Sequence, residues 1–346
     1  MKTSTTDTKI KVGIFFGGKS AEHEVSLQSA QNVIQALDKD RFEPVLIAID
    51  KQGVWHPEGS QASLSLVPGS GQLVSSEGQT FDIDVAFPVL HGPFGEDGTI
   101  QGLFELSNLP YVGPNVLGSA VGMDKDVMKR LMRDAGIPIA PFRTFTTPEI
   151  NTGQVFAELG SPVFVKPANM GSSVGVNKAN DTEELTKAIA DAFLYDTKII
   201  IEQAIVGDEI ECSVMGNELI EASILGRITP RENDFYSYDA KYIDDNGAVL
   251  EIPANLPDEV SIKARQIAIQ TFLVLGCQGM SRVDMFATKE GDVIVNEINT
   301  IPGFTKISMY PKLWEASGVS YTQLITRLIE LAIERHTRRS QLKTSH

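Results

Sequence analysis

Four polar side chains near the C-terminal end of the sequence, Arg282, Asp284, Glu297 and Asn299, are spaced so that they could act together. The first three lie in two apolar runs, 282–287 and 292–298, and Asn299 directly follows the second; the runs stand on either side of a Lys289-Glu290-Gly291 turn, the pattern of a β-hairpin. With the turn centred on Glu290-Gly291, Asp284 faces Glu297 and Arg282 faces Asn299 on one side of the sheet. Ionised groups on an apolar surface need partners. Two carboxylates with an amide oxygen are the hard-oxygen set that Mg²⁺ takes together with phosphate oxygens. A pair of strand-end charges in solvent is the plain alternative, and the hairpin alone does not separate the two.

Other stretches carry groups of the matching chemistry. Lys166 sits in an apolar strand pattern, PVFVKP, where an unpaired ammonium is costly, so it should meet an anion; a snorkelling lysine is the competing reading. The loop Ala168 to Val176, rich in glycine and serine, follows it and suits amides and hydroxyls folded over phosphates. Within it, Gly171-Ser172-Ser173-Val174-Gly175 matches a nucleophile elbow formally. That motif needs a following helix and a later histidine, and only His336 and His346, in a basic tail, come after it. The run KIIIEQAI ends in Glu202-Gln203, a strand end that could read a base edge, with Glu209 placed for ribose hydroxyls. Earlier, Gly13-x4-Gly18-Lys19-Ser20 resembles a P-loop in spacing, but Ile14, Phe15 and Phe16 read as continuing strand. Glu22, at the start of the next helix, is set to face a ligand at the sheet's carboxyl edge or, alternatively, to complement the helix dipole in solvent. His91, Glu96 and Asp97 occupy a glycine-dense loop, HGPFGEDG, at another strand's carboxyl end.

The elements that must hold these residues follow from periodicity. A strand over 9–16, a helix capped by Ser20 and a strand over 44–49 begin a parallel α/β sheet. Residues 57–80 read as an insertion with little core, and 82–89 resumes the sheet. A helix over 124–135, opening with Lys125, stops at Gly136 and Pro138, so a first domain ends near residue 120. Asp181 caps a helix with Glu184 at the capping-box position. Residues 229–246, with Phe235, Tyr236, Tyr238, Lys241 and Tyr242, read as a lid loop. A helix over 257–275, the hairpin, a turn over 302–308 with free amides and an amphipathic helix over 321–335 complete the chain.

Bulk properties bound the function. At 346 residues two or three packed units are expected, and 42% hydrophobic residues suffice for a sizeable core. A net charge of −15 argues against nucleic acid or an anionic membrane as the main partner, so anionic substrates must be met by local lysines and arginines. Cys212 and Cys277 form no metal spacing or disulfide framework, and no run approaches the roughly 18 apolar residues of a membrane span. A cytoplasmic protein is expected.

Taken together, GGKSAEHEVSL, HGPFGEDGTIQG, VKPANMGSSVGV, FYSYDAKY, SRVDMF and NEINTIPGFT resemble the ATP-grasp ligases, and among them the D-alanine:D-alanine ligases, from about Lys11 to Ile333. The resemblance implies an α/β protein, α+β in its C-terminal half, with an ATP-grasp fold behind an N-terminal Rossmann-like domain of parallel sheet. Its divisions would be 1–120, a central subdomain 121–212 and a C-terminal subdomain 213–346 bearing the lid. It implies ATP-dependent joining of two D-alanines for peptidoglycan, with ADP and phosphate released. Lys125, Lys166 and Lys241 would bind ATP phosphates, Glu202 and the Ala204-Ile205 backbone the adenine, and Glu209 the ribose. Asp284, Glu297 and Asn299 would hold two Mg²⁺ ions, with Mn²⁺ as a substitute. Glu22 would take the first D-alanine's ammonium with His91 nearby, and Ser172 and Tyr242 would join Glu22 in closing the lid. Arg282 and the Gly303 amide would stabilise the oxyanion, while Ser308 and Arg282 hold the second carboxylate. A homodimer is expected on the same ground. Gln203 stands where many relatives have lysine, Asn169-Met170 lack an acid found in some, and Ser237 replaces a lid acid. Tyr242 predicts a dipeptide rather than an ester product.

Overall fold

The computed structural model describes residues 9–230 and 248–343. Strand β1 (Ile10–Gly17), helix α1 (His23–Ala36) and strand β2 (Phe42–Ile49) form a parallel unit in which Ile10 lies opposite Phe42 and Gly17 opposite Ile49. Strand β3 (Trp55–Pro57) adds antiparallel to β2. Next come β4 (Leu64–Leu66), β5 (Gln72–Ser75) and β6 (Thr80–Asp82), a small antiparallel sheet. Strand β7 (Val85–Val89) returns beside β1 in parallel, giving the order β3-β2-β1-β7. All five residues of β7 are buried, the continuous apolar run of a strand covered on both faces.

Two expectations for this region differ from the structure. Residues 57–80 do contribute core: Leu64, Leu66 and Leu73 pack with Phe15 and Phe104, because the short strands pair and turn alternate side chains inward. Ser20 does not cap α1. Gly17 and Gly18, with φ of 95° and 97°, turn the chain early, and the Ser20 hydroxyl instead accepts the Glu22 amide at 3.1 Å, while the helix starts at His23.

The middle of the chain contains α2 (Thr99–Leu106), α3 (Val116–Met123) and α4 (Lys125–Asp134), then β8 (Phe142–Phe145), α5 (Thr152–Leu159), β9 (Val163–Pro167), β10 (Asn177–Ala179), α6 (Thr182–Ala192) and β11 (Ile199–Gln203). Asp124 caps α4 by accepting from the Asp126 and Val127 amides, which fixes Lys125 in its first turn. Asp181 caps α6, but Glu184 reaches back to Asn180 rather than closing a capping box. The four strands form an antiparallel sheet, β10-β9-β11-β8, with Lys166 opposite Ile200 and Glu202 opposite Phe164.

A five-stranded antiparallel sheet follows, in the order β14-β13-β12-β15-β16. It consists of β12 (Asp208–Gly216), β13 (Ile220–Pro230), β14 (Ala248–Glu251) and, after helix α7 (Asp258–Val274), the hairpin β15 (Gly279–Ala287) and β16 (Val293–Asn299). Of the lid expected over 229–246, Thr229 and Pro230 instead belong to β13, opposite Val249 and Ala248, and Phe235, Tyr236, Tyr238, Lys241 and Tyr242 lie outside the described residues. Helices α8 (Met309–Ala316) and α9 (Tyr321–Ser340) close the chain. Helix α9 runs past residue 335, and its Leu324, Ile325, Leu328 and Ile329 pack with Val12, Ile14 and Phe87, so the chain's end completes the core of its first sheet. Among the described residues, no helix is long and apolar enough to cross a membrane.

Candidate functional site

The hairpin pairs as its sequence predicts: Arg282 lies opposite Asn299, and Asp284 opposite Glu297. The route differs. Its tip is centred on Glu290, with the Thr288 amide donating to Asp292 O and Ala287 opposite Val293, which alone would set Asp284 against Asn296. A bulge on β16 absorbs one residue between the Met285–Val295 and Asp284–Glu297 pairs. Asn296 and Glu297 are both half-buried in consequence, where strict alternation would bury one and expose the other.

The two then serve one cleft. An open space of about 780 Å³ lies between the sheets, lined by Lys125, Lys129, Lys166, Glu202, Glu209, Asn296 and Glu297 and by the loop Met170 to Ser173. Lys166, from β9, ion-pairs with Glu202 on β11 and donates to Asn296 Oδ1 at 3.1 Å. Lys125 pairs with Glu297 at 3.4 Å and donates to the Met170 carbonyl at 2.7 Å, tying the glycine loop to the start of α4. Lys129 stands one turn further along α4 and reaches the other oxygen of Glu202 at 2.8 Å. Burial would raise the Glu202 carboxyl, but the two lysines hold it down at about 2. Burial opposes charge on Lys166 as well, yet Glu202 and Glu297 raise its affinity for its proton above the ordinary lysine value. The Ala204 amide donates to Pro162 O at 3.2 Å, and Gln203 and Ile205 on either side of it line this end of the cleft.

The other half of the hairpin carries the Arg282 group. Its guanidinium donates to both oxygens of Asp284 at 2.7 Å and stands 2.9 Å from Glu211 on β12, while Asn299 donates to Asp284 at 2.9 Å. Such a fork over a carboxylate is strong and directional. Among the described residues there is no cluster of three or more His, Cys, Asp or Glu that could cage a metal. Asp284, Glu297 and Asn299 are the open, oxygen-rich type of set that suits Mg²⁺ when phosphate oxygens supply the remaining ligands.

Toward the first sheet, Ser172 donates to Glu22, itself only 6% exposed. Ser172 and Ser173 have positive φ, 52° and 60°, so the glycine loop is held in a turned shape. His91 is buried and stays neutral more readily than usual, because burial disfavours its charge. Its Nδ1 lies 3.0 Å from Ile301 O and its Nε2 3.3 Å from Ser29 Oγ, which accepts the Phe304 amide at 3.1 Å. Glu96 accepts the Gly92 amide at 2.8 Å and the Ile301 amide at 2.9 Å. His91 and Glu96 thus fasten the 302–308 turn to the loop from the first sheet. That turn does not offer all its amides, since Phe304 and Thr305 donate to Ser29 Oγ and Ser308 Oγ. A Cβ at Gly303 would lie 2.7 Å from Ser308 Oγ, which keeps the position small.

The structure places Lys125, Lys166, Ser172, Glu202, Ile205, Glu209 and Glu297 on the cleft, with Ala204 between two of its lining residues. Glu22 is tied to it through Ser172, Asn299 and Asp284 border neighbouring hollows that share Glu297, and Arg282 is held by Asp284, while His91 is bonded to Ile301 just before the 302–308 turn that carries Gly303 and Ser308. Lys241 and Tyr242 lie outside the described residues. Sequence reasoning passed over Lys129, Asn296 and Glu211. The first had a signal, a lysine four residues after Lys125 on the same helix face. Asn296 had another, the break in alternation of VIVNEIN.

The chain is also similar to known proteins. The chain matches the family description "D-ala D-ala ligase N-terminus" over residues 11–114 and "D-ala D-ala ligase C-terminus" over residues 131–330. It is 56% identical to a D-alanine–D-alanine ligase of Shouchella clausii (strain KSM-K16), with 97% of this chain and 98% of that one covered. The solved structure of the D-alanine-D-alanine ligase from Coxiella burnetii superposes with a TM-score of 0.85 at 38% identity, covering 96% and 98%. A Bacillus anthracis D-alanine–D-alanine ligase complexed with ATP gives 0.76 at 28% identity over 95% and 99%.

Proposed function

Because the chain belongs to the D-alanine–D-alanine ligase family, with an α/β structure of the ATP-grasp type, we propose that it joins two D-alanine molecules at the expense of ATP. The observation that carries this reading is the cleft in which Lys125, Lys166 and the Gly171 loop stand beside Glu297. A carboxylate is a poor acyl donor. Transfer of the γ-phosphoryl group converts the first D-alanine's carboxylate to an acyl phosphate, which the second D-alanine's amine attacks with loss of phosphate.

In this reading each group takes one role. Lys125 and Lys166 meet the triphosphate, exchanging their contacts with Glu297 and Asn296 in part for phosphate oxygens. Glu202 and the Ala204-Ile205 backbone take the adenine, and Glu209 the ribose. Glu22, fixed by Ser172, receives the first ammonium, and His91 orders the turn beside it. Arg282 and the Gly303 amide face the oxyanion, where preorganised donors contribute most, and Ser308 with Arg282 holds the second carboxylate. Asp284, Glu297 and Asn299 would hold Mg²⁺, two ions in the expected arrangement, which neutralises phosphate charge during transfer. Lys241 and Tyr242 are assigned to the lid, which excludes water from the acyl phosphate. The divisions 1–120, 121–212 and 213–346, a homodimer and a cytoplasmic site of action complete the reading. Purified protein with Mg-ATP and each alanine enantiomer, scored for phosphate release, tests it: release with D-alanine alone is expected. Release with only L-alanine, or with neither, would overturn it.

A further inference from the structure

Lys129 is the most deeply buried cation of the cleft, its side chain 1% exposed, and it touches Glu202 at 2.8 Å. Glu202 is nearly as enclosed, at 5%, and its second oxygen belongs to Lys166. A carboxylate shared by two buried ammonium groups is more than neutralised, so an ion pair for stability alone would need only one of them. The two lysines differ in surroundings. Lys166, on β9, also faces Asn296 and feels Glu297 from β16 and Glu209 from β12, on the side assigned to phosphates. Burial loosens the hold of Lys129, on α4, on its proton; Glu202 is the strongest pull the other way, Lys166 repels it and Glu297 helps less. When nucleotide phosphates draw on the Lys166 ammonium, Lys129 is the countercharge that stays with Glu202.

We infer that Lys129 is a positioning residue that keeps Glu202 ionised against the purine edge, so that the cleft accepts a 6-aminopurine nucleotide and rejects a 6-oxopurine one. The inference rests on the assignment of Glu202 to the base. An ionised carboxylate offers only acceptor lone pairs. Adenine presents a donor at position 6, whereas guanine and hypoxanthine present an acceptor there. Burial favours the protonated carboxyl, which could donate to that oxygen and would blur the choice. The groups facing Glu202 are Lys129 and Lys166, and Lys129 is the one to which the proposed roles give no phosphate.

The test is binding of Mg-ATP and Mg-ITP to the full chain by calorimetry between pH 6 and 9. The wild type should prefer ATP by about 30-fold or more, evenly across this range, since a site built to pair one polar group rejects its lack strongly. Lys129→Met should reduce the preference to about threefold, and its ATP affinity should fall as the pH drops from 8 to 6, because Glu202 then takes up a proton. Lys129→Gln keeps a donor but not the charge and should behave alike. The uncharged pair Lys129→Met with Glu202→Gln should bind both nucleotides with little preference and no pH dependence. If the wild type binds ATP and ITP equally, the assignment of Glu202 to the base fails. If the wild type discriminates and any folded Lys129 variant retains both its selectivity and its flat profile, the role of Lys129 is refuted.

Discussion

Replacing Glu96 by glutamine gives a pH-dependent test of how the two substrate loops are joined. The carboxylate is buried and accepts one amide from each loop, Gly92 at 2.8 Å and Ile301 at 2.9 Å. Burial is the largest influence on it, the charge of Glu22 adds to that, and the two amides and Arg282 offset only part, so it ionises near 8 instead of 4.5. An acid whose folded value is raised binds its proton more tightly in the folded chain than in the unfolded one. Below pH 4.5 both states are protonated and there is no pH dependence. Between 4.5 and 8 the unfolded chain ionises while the folded one resists, and stability declines; above 8 the loss is complete. At about 1.4 kcal/mol per pH unit the total is on the order of 4–5 kcal/mol. Glutamine cannot ionise, but it turns an amide donor toward one of the two N–H groups, at a cost of about 1–3 kcal/mol at every pH. Glu96→Gln should therefore melt below the wild type at pH 5 and approach or pass it by pH 8.5. For a chain of this length about 1–2 °C accompanies each kcal/mol, so the difference in Tm should swing by roughly 5–8 °C. A difference that stays constant from pH 5 to 9 would mean that the carboxylate is ionised throughout and that its amide partners outweigh burial.

Glu297→Gln should retain the wild-type circular dichroism and lose turnover by about 100-fold or more, as expected when charge stabilisation of phosphoryl transfer is removed; near-normal phosphate release would discard its metal role. Asn296→Ala should raise KM for ATP about fivefold with little change in Tm, the equivalent of about 1 kcal/mol for the lost bond to Lys166. An unchanged KM would show that Lys166 needs no tether. With D-alanine and D-lactate in competition at neutral pH, the dipeptide should dominate, and a mainly ester product would contradict the expectation placed on Tyr242.

The parallel β1-α1-β2 unit and the hairpin were legible because each follows from local periodicity and turn residues. The Asp284–Glu297 pairing came out as expected through a tip half a residue from its assumed centre and a bulge that made up the difference. Helix α3 was not foreseen: VLGSAVGM holds two glycines, and it is the Asn115 cap and close packing of Gly118 on Gly276 that stabilise it. The cap is a local signal that two glycines outweigh, whereas the packing on Gly276 does not show in local sequence. The same limit applies within the cleft. Lys166 announced its need for an anion, but its partners Glu202 and Asn296 come from separate strands, and Glu211 reaches Arg282 only through the register of β12 on β15. Such neighbours are set by sheet order, which no stretch of the chain encodes alone.

The bulge on β16 also changes what a strand can deliver. A regular strand hands side chains to one face about 6.6 Å apart, because every second residue goes to the other side. With the extra residue, Asn296 and Glu297 reach the same cleft from adjacent α-carbons, about 3.8 Å apart. A lysine tether and the carboxylate proposed for the ion are thereby set at a finer pitch than a regular pleated sheet offers. Shortening β16 by that one residue would keep Glu297 across from Asp284 and leave the apolar side of the hairpin in step, while removing the hold on Lys166. A single-codon deletion there should be silent to the core and audible only to the nucleotide.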